Sequence, residues 1–134
     1  MQQSKDIKQS SYAWDTTIAF IQKVNSDYGN SSEEGNYKDT TFPYTDITGA
    51  SQTKAESSNV LVPTGQTTPV CNIYDMGGNV WEWTTESCSA TYGRCAQRGD
   101  NCNSGFAEYP AGSRHGNSSA LANDDFGFRL TLFM

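Results

Sequence analysis

Between Cys88 and Phe126 the chain runs through Gly, Ser, Asn, Asp and Tyr with almost no aliphatic residues. A stretch of that composition cannot bury enough apolar surface to form a core of its own, so it must be presented on a scaffold built elsewhere. The remaining sequence has to supply that scaffold within 134 residues, which is the length of one domain. Apolar residues make up 35 %, below the ~45–50 % usual for a globular chain. The 3 Trp, 7 Tyr and 6 Phe offset part of that deficit, because each large ring buries on the order of 150–250 Å².

Three segments carry the pattern of a scaffold. From Ser11 to Asn25, Trp14, Ile18, Ile21 and Val24 recur at helical spacing, with Ser10 or Ser11 placed to cap the exposed amides. Ser26 to Thr68 reads as irregular chain with short strands, its apolar residues clustered in Phe42-Pro43-Tyr44 and Val60-Leu61-Val62-Pro63. The segment Cys71 to Thr84 predicts a Gly77-Gly78 turn followed by a strand, with Val80, Glu82 and Thr84 alternating against Trp81 and Trp83. Trp81 and Trp83 are expected to anchor the core rather than to form a sugar-stacking platform. A last strand is expected where Phe128, Leu130 and Leu132 alternate with Arg129, Thr131 and Phe133, and it too is assigned to the core.

Charge and cysteine content narrow the function classes. Nine Lys and Arg stand against fifteen Asp and Glu, a formal charge of −6, and the most basic feature is the scattered pair Lys5 and Lys8. Nucleic-acid binding needs a basic stripe that displaces counterions, so none is expected. No apolar run approaches the ~18 residues of a membrane span, and the start Met1-Gln2-Gln3-Ser4-Lys5-Asp6 has no apolar stretch of secretory type. The localisation therefore stays open. Cys71, Cys88, Cys95 and Cys102 contain no C-x-x-C pair and His115 is the only histidine, which disfavours zinc. Cys88 and Cys95 are spaced to close a disulfide loop if the compartment is oxidising.

The string Tyr74-Asp75-Met76-Gly77-Gly78-Asn79-Val80-Trp81-Glu82-Trp83, followed by Arg98-Gly99 and by Gly127-Phe128-Arg129, resembles the formylglycine-generating enzyme (sulfatase-modifying factor) family. Residues 70 to 134 carry the likeness and the Trp14 helix extends it loosely. The resemblance implies an α+β chain with a variant of the C-type lectin fold: a few short antiparallel strands, one or two helices and long irregular loops in a single domain over 1–134. Family domains usually carry more sequence before the Trp14 helix, so residues 1–10 are expected to replace or truncate an early strand.

Enzymes of this family oxidise a sulfatase cysteine with a copper-binding cysteine pair that follows the Arg-Gly block. In this chain Ser104 and Tyr109 fall where those thiols belong, and hard oxygen donors do not hold Cu(I). Cys102 lies near but alone, so catalysis is not expected. The closer likeness is to a non-catalytic branch, the variable proteins of phages and bacteria diversified by diversity-generating retroelements. The resemblance then implies a variable region over residues 98–129 that binds a macromolecular target, a protein or a cell-surface ligand, on a phage virion or bacterial surface. The other readings are a diverged oxidase acting on a protein cysteine and a structural component of a virion or surface layer.

Within that region the mixture of aromatic anchors and small adaptable polar residues is that of a paratope. The expected exposed, ligand-facing set is Asn101, Cys102, Asn103, Phe106, Glu108, Tyr109, Ser113, His115, Asn117, Leu121, Asp124 and Asp125. Arg98, Arg114 and Arg129 are assigned to holding loops, since one guanidinium can donate to several segments. The resemblance requires no cofactor but allows Ca²⁺ on Asp75, the Gly78 and Val80 backbone, and Glu82. Against it stands a metal-free turn in which Asp75 and Glu82 bind backbone amides and an arginine.

Overall fold

A computed structural model describes residues 10–30, 32–86, 95–117 and 123–129, with the side chains of Cys95 and Asn117 outside the description. One helix, α1 (Ser11–Ile21), starts where Ser10 caps it, its Oγ accepting from the Ala13 amide at 3.1 Å. Ser11, Trp14, Ile18 and Ile21 form its buried stripe. The helix ends four residues before Asn25. Gln22 donates its side-chain amide to the Tyr28 carbonyl at 2.7 Å, folding the chain back so that Tyr28 enters the core and Val24 is left in solvent. Trp14, Ile18, Ile21, Tyr28, Met76 and Ala111 make that core, with Val70 and Ile73 against it. Trp14 is fixed in orientation because its indole N–H donates to the Ala111 carbonyl at 3.0 Å.

The strands form two sheets. A hairpin pairs β1 (Phe42–Thr45) with β2 (Ser51–Lys54), and its end is tied down by the buried Lys54 ammonium, which donates to the Thr40 carbonyl at 2.8 Å. A four-stranded sheet has the order β5-β4-β3-β6, where β3 is Trp81–Trp83, β4 is Cys95–Arg98, β5 is Arg114–Asn117 and β6 is Phe126–Phe128. The pair β3·β6 is parallel, which departs from the all-antiparallel expectation. Among the described residues the molecule is thus a small α+β arrangement of one helix and two sheets, and no helix is long and apolar enough to cross a membrane.

Register separates the two faces of the larger sheet. Directly paired residues point to the same side, so Trp81, Trp83, Gln97, His115, Phe126 and Phe128 share one face. Glu82, Arg98 and Arg114 share the other, where α1 packs and Asp15 meets both arginines. The alternation around Trp81 was therefore correct as a strand, and both of its sides are covered: Trp81 is buried as expected, at 9 % exposure, Trp83 is half-buried, and Glu82 and Thr84 are buried on the other side. Thr84 hydrogen-bonds Ser11 of the helix at 2.9 Å and Glu82 is held by Arg129, whereas Trp81 and Trp83 stand on the opposite face of the sheet. Phe128, assigned to the core from sequence, is 62 % exposed, and the expected strand beyond residue 129 lies outside the described residues.

The long segment before the sheet is held by two asparagines rather than by apolar contacts. Asn36 donates its side-chain amide to the Val60 carbonyl and to Asn79 Oδ1, and Asn79 in turn bonds both backbone groups of Val62. Gly78 makes the close approach between these segments. It adopts φ +71°, and a Cβ there would collide with the Asn36 backbone.

Candidate functional site

Two buried or half-buried arginines close the ends of the region from 98 to 129. Arg98 is 2 % exposed and pairs with Asp15 on α1. Arg129 donates from Nε and Nη2 to the two Glu82 carboxylate oxygens, each at 2.9 Å, and from Nη1 and Nη2 to the Tyr74 and Asp75 carbonyls. Its guanidinium also lies 5.7 Å from the centre of the Trp14 ring, at cation–π range. Arg114, between them, reaches Asp15 and Glu86 at 2.9 and 3.0 Å. Each arginine joins separate segments, as a rigid fork of donors permits.

The first residues after Arg98 turn inward. Gly99 accepts from the Gly78 amide at 2.7 Å, and Cys102 donates its amide to the Asn79 carbonyl at 3.1 Å. Asn101 and Cys102 are consequently buried, which corrects their place in the exposed set: the backbone at 99–102 threads against the 77–79 turn. Burial pushes the Cys102 thiol up, so the thiolate is disfavoured. Asp100 lies at the bottom of this turn with no exposed surface and no hydrogen-bond partner for either carboxylate oxygen among the described residues. Burial lifts its pKa from 3.8 to about 7.

Beyond Cys102 the side chains divide into two groups. Asn103, Tyr109, His115 and Asp125 gather around Trp81. Tyr109 meets the Trp81 ring edge-on at 6.1 Å, His115 lies 5.5 Å from it, and the Asp125 carbonyl accepts the Trp81 amide at 2.7 Å. Asp125 Oδ2 accepts from Asn101 and Asn103 at 3.0 and 3.4 Å. Glu108 and Asp124 are exposed beside their neighbours Tyr109 and Asp125. Phe106 belongs to a different place: it is half-buried, edge-on to Tyr37 at 6.2 Å, with its amide donating to Asp39. Ser113 is half-buried in a turn closed by its own amide on the Pro110 carbonyl. Leu121, the Asn117 side chain and the Cys88–Cys95 pairing lie outside the described residues. The reading from sequence missed Gln97 and Phe126, which share the outer face with Trp83; alternation across Cys95–Arg98 was the available signal.

The four positions expected for calcium, Asp75, Gly78, Val80 and Glu82, do line one cavity of about 620 Å³. Their chemistry does not fit a cation. Both Glu82 oxygens are taken by Arg129, and the Asp75 oxygens accept from the Gly65 amide and the Thr67 hydroxyl, at 2.5 and 2.6 Å. A divalent ion would have to displace the guanidinium that already neutralises the site. Burial raises Glu82, with the Arg129 hydrogen bonds and charge pulling it back. Nor do the residues present fit copper. Ser104 Oγ faces Asn101 Oδ1, Tyr109 packs on Trp81, and Cys102 has no second thiol beside it among the described residues. No group of three or more His, Cys, Asp or Glu able to hold a metal occurs among the described residues.

The family model described as the sulfatase-modifying factor enzyme 1-like domain matches residues 6–132. No curated protein and no solved structure matches the chain.

Proposed function

The chain belongs to the sulfatase-modifying factor enzyme 1-like domain family, and within it we propose a non-catalytic ligand-binding protein with a C-type lectin-like fold. Its region 98–129, diversified by a retroelement, binds a macromolecular target. The observation that carries this reading is the division of labour inside the region. Arg98 and Arg129 clamp the two ends through Asp15 and Glu82, while Asn103, Glu108, Tyr109, His115 and Asp124 between them expose their side chains. A surface whose residues can vary without touching the clamps is what a display protein requires. The buried Cys102 thiol, with no second thiol beside it among the described residues, gives no support to a copper oxidase.

Replacing Asn103, Glu108, Tyr109, His115 and Asp124 together by Ala is expected to keep melting cooperative and within about 10 °C of the parent, because substitutions of exposed side chains seldom exceed ~0.5 kcal/mol each. Loss of cooperative melting in that variant would make these residues structural and overturn the reading. Turnover of a cysteine-containing sulfatase peptide by the copper-treated parent would overturn it from the other side.

A further inference from the structure

We propose that the outer face of the four-stranded sheet, where Tyr109 and His115 flank Trp81 and the exposed Glu108 and Asp124 adjoin Tyr109 and Asp125 in the chain, binds an arginine-bearing segment of a protein partner. This rests on the display reading and gives its ligand a chemistry. The face is set apart by register. α1 and the Asp15 ion pairs occupy the opposite side, leaving Trp83 and Phe126 half-buried, Tyr109 38 % exposed and Phe128 62 % exposed. The helix does not cover these rings.

A second observation comes from Gln97. It pairs in register with both Trp83 and His115, so its side chain lies on the aromatic face, where it is 1 % exposed. Neither its amide oxygen nor its amide nitrogen has a hydrogen-bond partner among the described residues. The carboxamide is thus an unsatisfied polar group buried beneath the aromatic surface.

Charge then selects the partner. Between Arg98 and Arg129 the described chain has one Lys or Arg, Arg114, and it is spent on Asp15 and Glu86 toward the helix side. Glu108 and Asp124 are exposed, and Asp125 is held near Trp81 by its own backbone. The whole chain is also acidic at −6. An anionic ligand would be repelled by these carboxylates. A guanidinium fits the exposed features: its plane stacks on the Tyr109 ring and its fork of donors meets carboxylates in pairs. An ammonium offers the charge without the plane.

The test uses fluorescence anisotropy of three labelled twelve-residue peptides, alternating Gly with Arg, Lys or Glu, on the full chain. The Arg peptide is expected to bind at least about fivefold more tightly than the Lys peptide, and the Glu peptide not at all. Tyr109→Ala, and separately Glu108→Gln with Asp124→Asn, should each weaken the Arg peptide about tenfold, while Glu33→Gln with Glu56→Gln should leave it within about twofold. The exposed carboxylate pair carries the test should Tyr109→Ala fail to melt cooperatively. Equal affinity for Arg and Lys peptides, or equal weakening by the distant pair, would reduce the effect to net charge and overturn the proposal. A chain that tolerates the fivefold Ala replacement yet ignores the Arg peptide would keep the display reading and lose this one.

Discussion

Arg129→Met is expected to destabilise the fold by about 3–5 kcal/mol, a drop of roughly 10–20 °C in melting temperature for a chain of this size. The cause is what the substitution leaves behind. Glu82 is buried on the helix side of β3, and both of its oxygens are satisfied by Arg129. Removing the guanidinium strands a buried carboxylate and also frees the Tyr74 and Asp75 carbonyls. Two features distinguish this from loss of packing. The defect should shrink at low pH, where Glu82 takes up a proton, and it should be largely recovered in the double variant Glu82→Leu with Arg129→Met, which removes both charges. Thermal melts of the single and double variants at two pH values check it; an unrecovered double variant would mean that the carbonyl contacts, not the ion pair, carry the energy.

Asp100→Asn should act in the opposite direction. Because burial raises Asp100 from 3.8 to about 7, the native state keeps a proton that the unfolded chain has already lost over that window. Folding stability attributable to this group is therefore fully present below about pH 4 and declines as pH rises toward 7. By about pH 8 the loss amounts to roughly 4 kcal/mol at most. Asn keeps the shape, tolerates the positive φ of 66° at this position and never ionises. The difference in urea midpoint between parent and variant isolates Asp100 from the other carboxylates. It should be near zero at pH 4 and favour the variant at pH 8; parallel curves across that range would show that Asp100 ionises without cost.

Much of the scaffold was readable from residue order because its signals are local. Ser10, Trp14, Ile18 and Ile21 specify a capped helix by their own spacing, and Trp81 to Trp83 mark a strand by alternation. What alternation cannot say is which side faces inward. That was decided by Arg129, forty-seven positions from Glu82, and by Ser11 on Thr84, seventy-three positions away. A polar residue with a distant partner then occupies the helix side, while Trp81 is buried on the opposite face against Tyr109 and His115. The same limit explains Asn101 and Cys102. Their composition suits an exposed loop, yet the backbone bond from Cys102 to Asn79 buries them, and no feature of their own neighbourhood predicts it. Glu108 and Asp124, whose backbone amides bond only to near neighbours, are exposed as their composition suggested, and so is His115, although its strand pairs with Gln97.

Separation of a fixed frame from a variable surface is the centre of this account, and sequencing the gene and its flanking DNA across its natural population tests it most directly. The account predicts amino-acid differences concentrated at Asn103, Glu108, Tyr109, His115 and Asp124, with Arg98, Asp100, Gly127 and Arg129 unchanged. It also predicts a near-copy of the DNA for residues 98–129 close by, differing mainly at adenines and lying beside a reverse transcriptase gene. Differences spread evenly over buried and exposed positions, with no such copy, would contradict it.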